Sequence, residues 1–344
     1  MGWIPLPFIT GCLLCSSLAL AEPKAWQLGD SGRWTQTPTT SKSDAPVVNP
    51  VLDRAQYLFG NRDYQLVHDI VLDWLVKNPK APDRARGLFL MAQVYYVLGD
   101  RLECFYQGDE LLDNYPESKL FFPTLELQYR VADAYLSGYK NKFLGLAIVP
   151  MDDTAIEMLF RIQERSPGSP LAERSLARSA DFYYRTSQFD LAADAYGAFI
   201  RIYPRSNEIA RARLRQAYSN FAQFRGPRYD ATPLLDARTE FQGIQARDPD
   251  LAREEGVQQF IDRIDEQLAA KLMVNAQYYA RVQEPKAAVF LYRSLIQRYP
   301  ASKEAQIARR IIEKMPAWTL TDPPPPTSAA ELPAPTTRPT YDVK

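Results

Sequence analysis

One stretch constrains the fold of this chain more than any other: Ala172 to Asn207, AERSLARSADFYYRTSQFDLAADAYGAFIRIYPRSN. Leu176, Ala180 and Tyr183 follow at steps of four and three, which places them on one face of a 3.6-residue helix. Thr186-Ser187-Gln188 interrupts the pattern, and Ala192, Tyr196, Phe199 and Tyr203 resume it until Pro204 removes an amide donor and stops the second helix. Small Ala180 and Ala192 flank the turn, where two antiparallel helices come closest, and the aromatic residues fill the wider gap beyond. The stretch reads as a helix-turn-helix unit.

The unit recurs. Proline stops stand at 79, 116, 167, 204, 249 and 300, separated by 37, 51, 37, 45 and 51 residues. These intervals sit near the roughly 34-residue tetratricopeptide period, lengthened by insertions. Twelve residues before each proline stand Val67, Cys104, Ala155, Ala192, Ala237 and Ala288, the tightly packed position of each second helix. Eight before stand Val71, Gly108, Leu159, Tyr196, Phe241 and Tyr292, the bulkier one. Just after the proline, Ser118, Ser169, Ser206 and Ser302 are placed to accept bonds from the next helix's free amides, and Pro170 suits a first turn. The expected fold is all-α, a tetratricopeptide-like solenoid of about five to six repeats over residues 50–316.

Two of the longer intervals carry informative insertions. The apolar segment from Ser137 to Pro150 reads as a loop folded back on the array's own core, the alternative being contact with a partner or a membrane surface. Thr154-Ala155-Ile156-Glu157 reads as a capping box opening the helix after it. From Leu251 to Gln283 only Gly256 breaks the pattern, and Phe260, Ile264, Leu268 and Leu272 follow at steps of four, which predicts a first helix of about twice the usual length.

The ends have a different character. Residues 1–21 hold no charged side chain and finish Ala19-Leu20-Ala21 before Glu22, a pattern suited to signal-peptide cleavage. Ile9-Thr10-Gly11-Cys12 offers the alternative of a lipobox with Cys12 lipidated. Either route predicts a periplasmic body. Residues 22–49 read as a flexible linker in which Trp26 and Trp34 are incidental, docked on the first repeat, or engaged with a partner. Residues 317–344, with Pro323 to Pro326, have too few apolar side chains to offset ordering entropy and are expected to form a disordered, extended tail.

No constellation for chemistry is present. His68 is the single histidine and lies beside the apolar stripe Val67, Val71 and Trp74, with no second histidine for a metal. Asp152-Asp153 read as capping charges at a helix start, and Cys104 as a small buried residue replacing alanine. Cys12 and Cys15 share the C-x-x-C spacing but sit in the export segment, and no phosphate-binding glycine motif occurs. Neither enzyme activity nor a cofactor is expected. Lys plus Arg and Asp plus Glu both number 41, so no global basic field favours nucleic acid. Arg205, Arg211, Arg213 and Arg215 form a local basic cluster, read as a solvated helix face that a carboxylate-bearing partner could also use. A stack of helical hairpins without chemistry offers surface, so protein binding is the default function.

From about Val51 to Met315 the chain resembles the BamD family, periplasmic lipoproteins of the outer-membrane β-barrel assembly machine. The Tyr-Pro-x-Ser repeat ends carry part of the likeness. Phe241 to Pro249, the long helix through Ala280, and Ala288 to Pro300 carry the more specific part, in the order second helix, overlong first helix, closing Tyr-Pro repeat. The resemblance implies a scaffold at the inner face of the outer membrane that assists insertion of barrel proteins. It further implies that N-terminal repeats receive unfolded barrel substrates and that C-terminal repeats hold the membrane-embedded assembly subunit. The alternative reading is a periplasmic peptide-binding or cell-wall coordinating repeat protein. The proline-rich tail departs from the family pattern.

Overall fold

The computed structural model describes residues 26–28, 34–36, 49–143, 146–316 and 320. Cys12, Ala19, Ala21 and Glu22, and the tail apart from residue 320, lie outside the described residues. The chain divides into two compact units, one formed by 1–99 with 106–124 and the other by 100–105 with 125–344.

The first unit contains α1 (Pro50–Gly60), α2 (Tyr64–Lys77), α3 (Arg84–Leu98) and most of α4 (Arg101–Asn114). Its core is built from Leu52, Ala55, Val67, Val71, Leu88, Met91 and Ala92, all fully buried. Gly87 lets α3 approach α2 closely: a methyl group there would lie 2.9 Å from the Trp74 ring.

The second unit continues with α5 (Phe121–Leu136), α6 (Asp152–Arg165), α7 (Pro170–Arg185), α8 (Phe189–Ile202), α9 (Ile209–Ala222) and α10 (Thr232–Arg247). A short α11 (Pro249–Glu254) leads into α12 (Val257–Arg281), followed by α13 (Pro285–Arg298) and α14 (Lys303–Glu313). From α6 to α10, and again from α12 to α14, each helix packs on the next, the neighbour-on-neighbour pattern of a tetratricopeptide-like array. Leu176, Ala180, Ala192, Tyr196 and Phe199 form one core cluster between α7 and α8, as the spacing in that unit predicts.

The proline punctuation works through the residue before it. Asn78, Ser166, Tyr203, Asp248 and Tyr299 each cap a helix C-terminus with φ between −140° and −120° and ψ between 55° and 78°. A following proline disfavours the helical region for its predecessor, so the helix ends there in every case. The next helix then starts on the serine: Ser169 Oγ accepts from the Ala172 amide and Ser302 Oγ from the Ala305 amide, both at 3.1 Å. Ser118 and Ser206 instead accept from Leu120 and Glu208, at 3.2 and 3.0 Å, amides that precede α5 and α9, so these two serines close the turn ahead of the helix rather than cap it. All six residues twelve before the prolines are buried, and so are all six residues eight before.

The turns within several hairpins share a device that the sequence pattern does not announce. Arg62, Gly138, Ser187 and Gln283 adopt left-handed φ values of 69°, 99°, 60° and 64°. In each the next residue's amide donates to the carbonyl five residues back: Asp63 to Leu58, Tyr139 to Ala134, Gln188 to Tyr183 and Glu284 to Tyr279. This is the Schellman closure of a helix C-terminus, usually built on glycine, and here three of the four positions carry a side chain.

Three readings of the sequence change. The helix α6 begins at Asp152 with Met151 as its cap, and Met151 makes no side-chain capping bond. Thr154 and Glu157 therefore lie inside the helix rather than forming a capping box, and Glu157 pairs with Arg161 one turn on at 2.8 Å. Asp152 and Asp153 sit in the first turn, where the dipole still favours their charge. The apolar insertion is not an irregular loop: β3 (Asn141–Phe143) and β4 (Leu146–Val149) pair antiparallel, with a register shift between Asn141 and Lys142. Within 22–49, β1 (Trp26–Leu28) and β2 (Trp34–Gln36) also pair antiparallel, with Leu28 opposite Trp34.

The overlong helix is present. At 25 residues α12 compares with 14 for α13, and Gly256 at φ 63° separates it from α11. Its length has a packing reason. Val257, Ile261, Ile264 and Leu268 join the core of α9 and α10, whereas Ala269, Met273 and Ala276 join the core of α13 and α14. One helix thus serves two successive repeats.

Candidate functional site

The pairing of helices in the array leaves side chains between alternate helices, and these are tied by ion pairs. Asp53 of α1 meets Arg86 of α3 at 2.7 Å. Glu126 of α5 meets Arg174 of α7 at 3.3 Å, with the Arg174 guanidinium also 4.4 Å from the Tyr129 ring centre. Asp133 of α5 accepts from Arg178 of α7, which also donates to Ser137. Asp181 of α7 accepts from Arg215 of α9 at 2.6 Å and from Arg211 at 3.3 Å. The half-exposed pairs Asp53–Arg86 and Glu126–Arg174 contribute modestly to stability, about 0.2–1 kcal/mol each. Their larger consequence is orientation, since planar Arg forks fix the angle between neighbours.

Two arginines of the basic cluster are thereby engaged within the array. Arg211 and Arg215 turn toward Asp181, and Arg211 also pairs with Glu208 at 2.6 Å, so neither is a free cation for a partner. Cys104 is buried, and desolvation pushes its thiol up to about 12, which leaves no thiolate for chemistry. The His68 ring packs edge-on against Tyr95 at 5.4 Å, with Nδ1 3.0 Å from Asp69. Among the described residues no group of three or more His, Cys, Asp or Glu side chains is placed to hold a metal ion.

A carboxylate between α9 and α10 is the most perturbed acid. Asn220 Nδ2 donates to both oxygens of Glu240 at 3.0 Å. Burial pushes the Glu240 carboxyl up to about 7, Asp236 adds to the rise, and the Asn220 bond opposes it. The folded value lies above the unfolded one, so this group's contribution is fully present below the unfolded range and is lost as pH rises through about 7. Glu240→Gln is therefore expected to stabilise the chain by about 1–2 kcal/mol at pH 8.5 and to be near neutral at pH 4, measured by urea unfolding at both values.

The concave feature of the second unit lies on the overlong helix. An open groove of about 760 Å³ is lined by the 227–228 turn, α12 from Lys271 to Arg281, and Tyr292 of α13. Its lining includes Arg228, Lys271 and Arg281 and no acidic side chain. Lys271 Nζ donates to the Pro227 and Tyr229 carbonyls and so pins the turn to α12. Tyr278 is 53% exposed at the rim. The length of α12 points here from sequence alone. Arg228 does not, because it reaches the groove from the 223–231 connection, whose Pro227 lies 44 residues from Lys271. A smaller groove lies between α6 and α7, where Ile156, Phe160 and Phe182 form an apolar floor beside Asp153 and Glu157. The sequence-predicted export residues Cys12, Ala19, Ala21 and Glu22 lie outside the described residues.

Comparison with known proteins finds a family model within the second unit and repeat folds over most of the chain. Residues 152–322 match the family model YfiO, described as outer membrane lipoprotein. A curated relative, outer membrane protein assembly factor BamD of Rickettsia prowazekii, is 22% identical over 145 residues. That alignment takes in 42% of this chain and 58% of the relative. Among solved structures, a tetratricopeptide repeat protein from Parabacteroides merdae is 11% identical over 79% of this chain and 98% of that one, with a TM-score of 0.34. The C-terminal part of a repeat protein from Cytophaga hutchinsonii is 13% identical over 75% of this chain and 86% of that one, again at 0.34. A repeat protein from Thermus thermophilus is 14% identical over 61% of this chain and 97% of its own, at 0.28. Over 152–322 this chain is similar to that outer membrane lipoprotein family, and its fold rests on the helix pairing described above.

Proposed function

We propose that this chain is a non-catalytic scaffold of the periplasm, at the inner face of the outer membrane, that assists assembly and insertion of outer-membrane β-barrel proteins through protein contacts. The observation that carries the reading is the match of 152–322 to an outer-membrane lipoprotein family, and the name of the Rickettsia relative agrees with it. The overlong α12 supports it further, since that helix belongs to the more specific part of the resemblance and builds the groove. In this reading the C-terminal repeats hold the membrane-embedded assembly subunit and the N-terminal repeats receive unfolded barrel substrates. No helix among the described residues is long and apolar enough to cross a membrane. In this reading attachment is through a partner or by lipidation of Cys12. Cleavage after Ala21, leaving Glu22 first, makes the partner the sole tether.

The test is recovery of the tagged full-length chain from gently solubilised envelopes. Co-recovery of the barrel assembly subunit is the expected result. Recovery without that subunit, accompanied instead by peptidoglycan-linked proteins in the soluble fraction, overturns the reading in favour of a cell-wall coordinating repeat protein.

A further inference from the structure

We infer that the groove on α12 is a docking site for this chain's own proline-rich tail, with residues 321–332 as the occupant. The inference does not depend on the assembly role. Four observations carry it. First, the tail starts beside the groove's own helix: after α14 the chain returns to α13, where Arg293 donates to the Leu320 carbonyl at 2.8 Å. The neighbouring Tyr292 lines the groove.

Second, the charges are complementary. Residues 321–332 carry Asp322 and Glu331 and no basic side chain, whereas the lining carries cations and no acid. Lys271 is already engaged with carbonyls of the turn, which leaves the guanidinium groups of Arg228 and Arg281 for carboxylates.

Third, the lining has the chemistry that recognises polyproline. A polyproline II segment has no internal hydrogen bonds and presents carbonyls and flat ring faces. Tyr278 supplies exposed aromatic surface, and Asn275 and Gln277 supply amide donors. A run of four prolines, as at 323–326, favours that conformation in a free chain, which lowers the entropy lost on docking.

Fourth, the reach is sufficient. At roughly 3.1 Å per residue, the stretch 321–332 spans about 35 Å. The helix α13, at about 1.5 Å per residue, is about 21 Å long. A tail leaving α13 can therefore lie along α12 from Arg281 toward Lys271 without strain.

A photo-crosslinking residue at exposed position Tyr278 of the full-length chain tests the docking. The expected product is an intrachain link mapped by mass spectrometry to 321–332. Its yield is expected to fall at least fivefold on charge reversal of Arg228→Glu with Arg281→Glu, or on replacing Pro323 to Pro326 with serine. Helical circular dichroism of each variant controls for folding, and the serine variant alters no residue of the helical array. A link at the mass of two chains, a link elsewhere in the chain, or yields unchanged by the serine replacement each overturns the inference.

Discussion

Phe241→Ala is expected to destabilise the second unit by about 4 kcal/mol, the range for truncating a fully buried aromatic side chain. Phe241 stands eight residues before Pro249 and is 0% exposed. Its ring stacks on Phe260 of α12 at 5.4 Å and 21°, and takes the edge of Tyr218 of α9 at 5.4 Å. Tyr218 and Phe221 also meet Phe260, at 5.0 and 5.7 Å. The four rings tie three helices at the point where the array passes into the overlong helix. Their rigidity keeps the neighbours from collapsing into the space left by the ring, so the cavity cost adds to the lost transfer energy. Phe241→Leu retains most of the volume and is expected to cost about 1.5 kcal/mol. Urea unfolding of both variants reads the difference. Arrays of repeats are stabilised by neighbour interfaces, so the alanine variant is also expected to broaden the transition as α12 to α14 separate energetically from α9 and α10. A loss below about 1 kcal/mol with an unchanged slope would show that the ring cluster does not hold this junction.

The second large effect is expected at Asp181→Ala, at about 2–3 kcal/mol, just below the range for breaking a fully buried pair. One Asp181 oxygen accepts from the Tyr196 hydroxyl and the Arg215 guanidinium, each at 2.6 Å, and the other accepts from Arg211 at 3.3 Å. The carboxylate side chain is 21% exposed and that of Arg215 29%. Removing the acid leaves Arg215 only its 3.2 Å bond to the Tyr196 hydroxyl, an uncompensated cation partly out of water, and that desolvation makes the loss larger than for an exposed pair. Burial, with the Asp181 bond second, already raises the Tyr196 phenol above its usual range. Asp181→Asn keeps an acceptor but loses the charge and is expected to cost about half as much. A double-mutant cycle of Asp181→Ala with Arg215→Met isolates the pair, and a coupling below about 0.5 kcal/mol would reduce the contact to an ordinary surface bridge.

Both effects show where legibility ends. Phe241 and Tyr196 can be placed in the core by counting back from a proline, because helix period and the pre-proline restriction act within one or two turns of chain. The partner of each cannot. Asp181 lies 34 residues from Arg215, and a local run of arginines reads as a solvated face unless the neighbouring helix is known to bring a carboxylate to it. The start of α6 is misleading in sequence because Thr154 and Glu157 satisfy a capping pattern that Met151 and the two aspartates pre-empt by beginning the helix earlier. The turns at Arg62, Ser187 and Gln283 are hidden for a related reason: a left-handed closure is signalled by glycine, and these positions tolerate its cost with a side chain.

The amino-acid sequence by itself determined the repeat, its stops and starts, the buried register of each second helix, and the length of α12. These follow from spacing, proline geometry and serine capping, which act over a few residues and survive any arrangement of the helices around them. Only the tertiary structure decided which arginine meets which carboxylate, that four aromatic rings close one junction, that the apolar insertion is a β-ribbon, and that Arg228 and Arg281 line one groove. Those outcomes depend on angles between elements far apart in the chain, and such angles are set by the packing of whole helix faces.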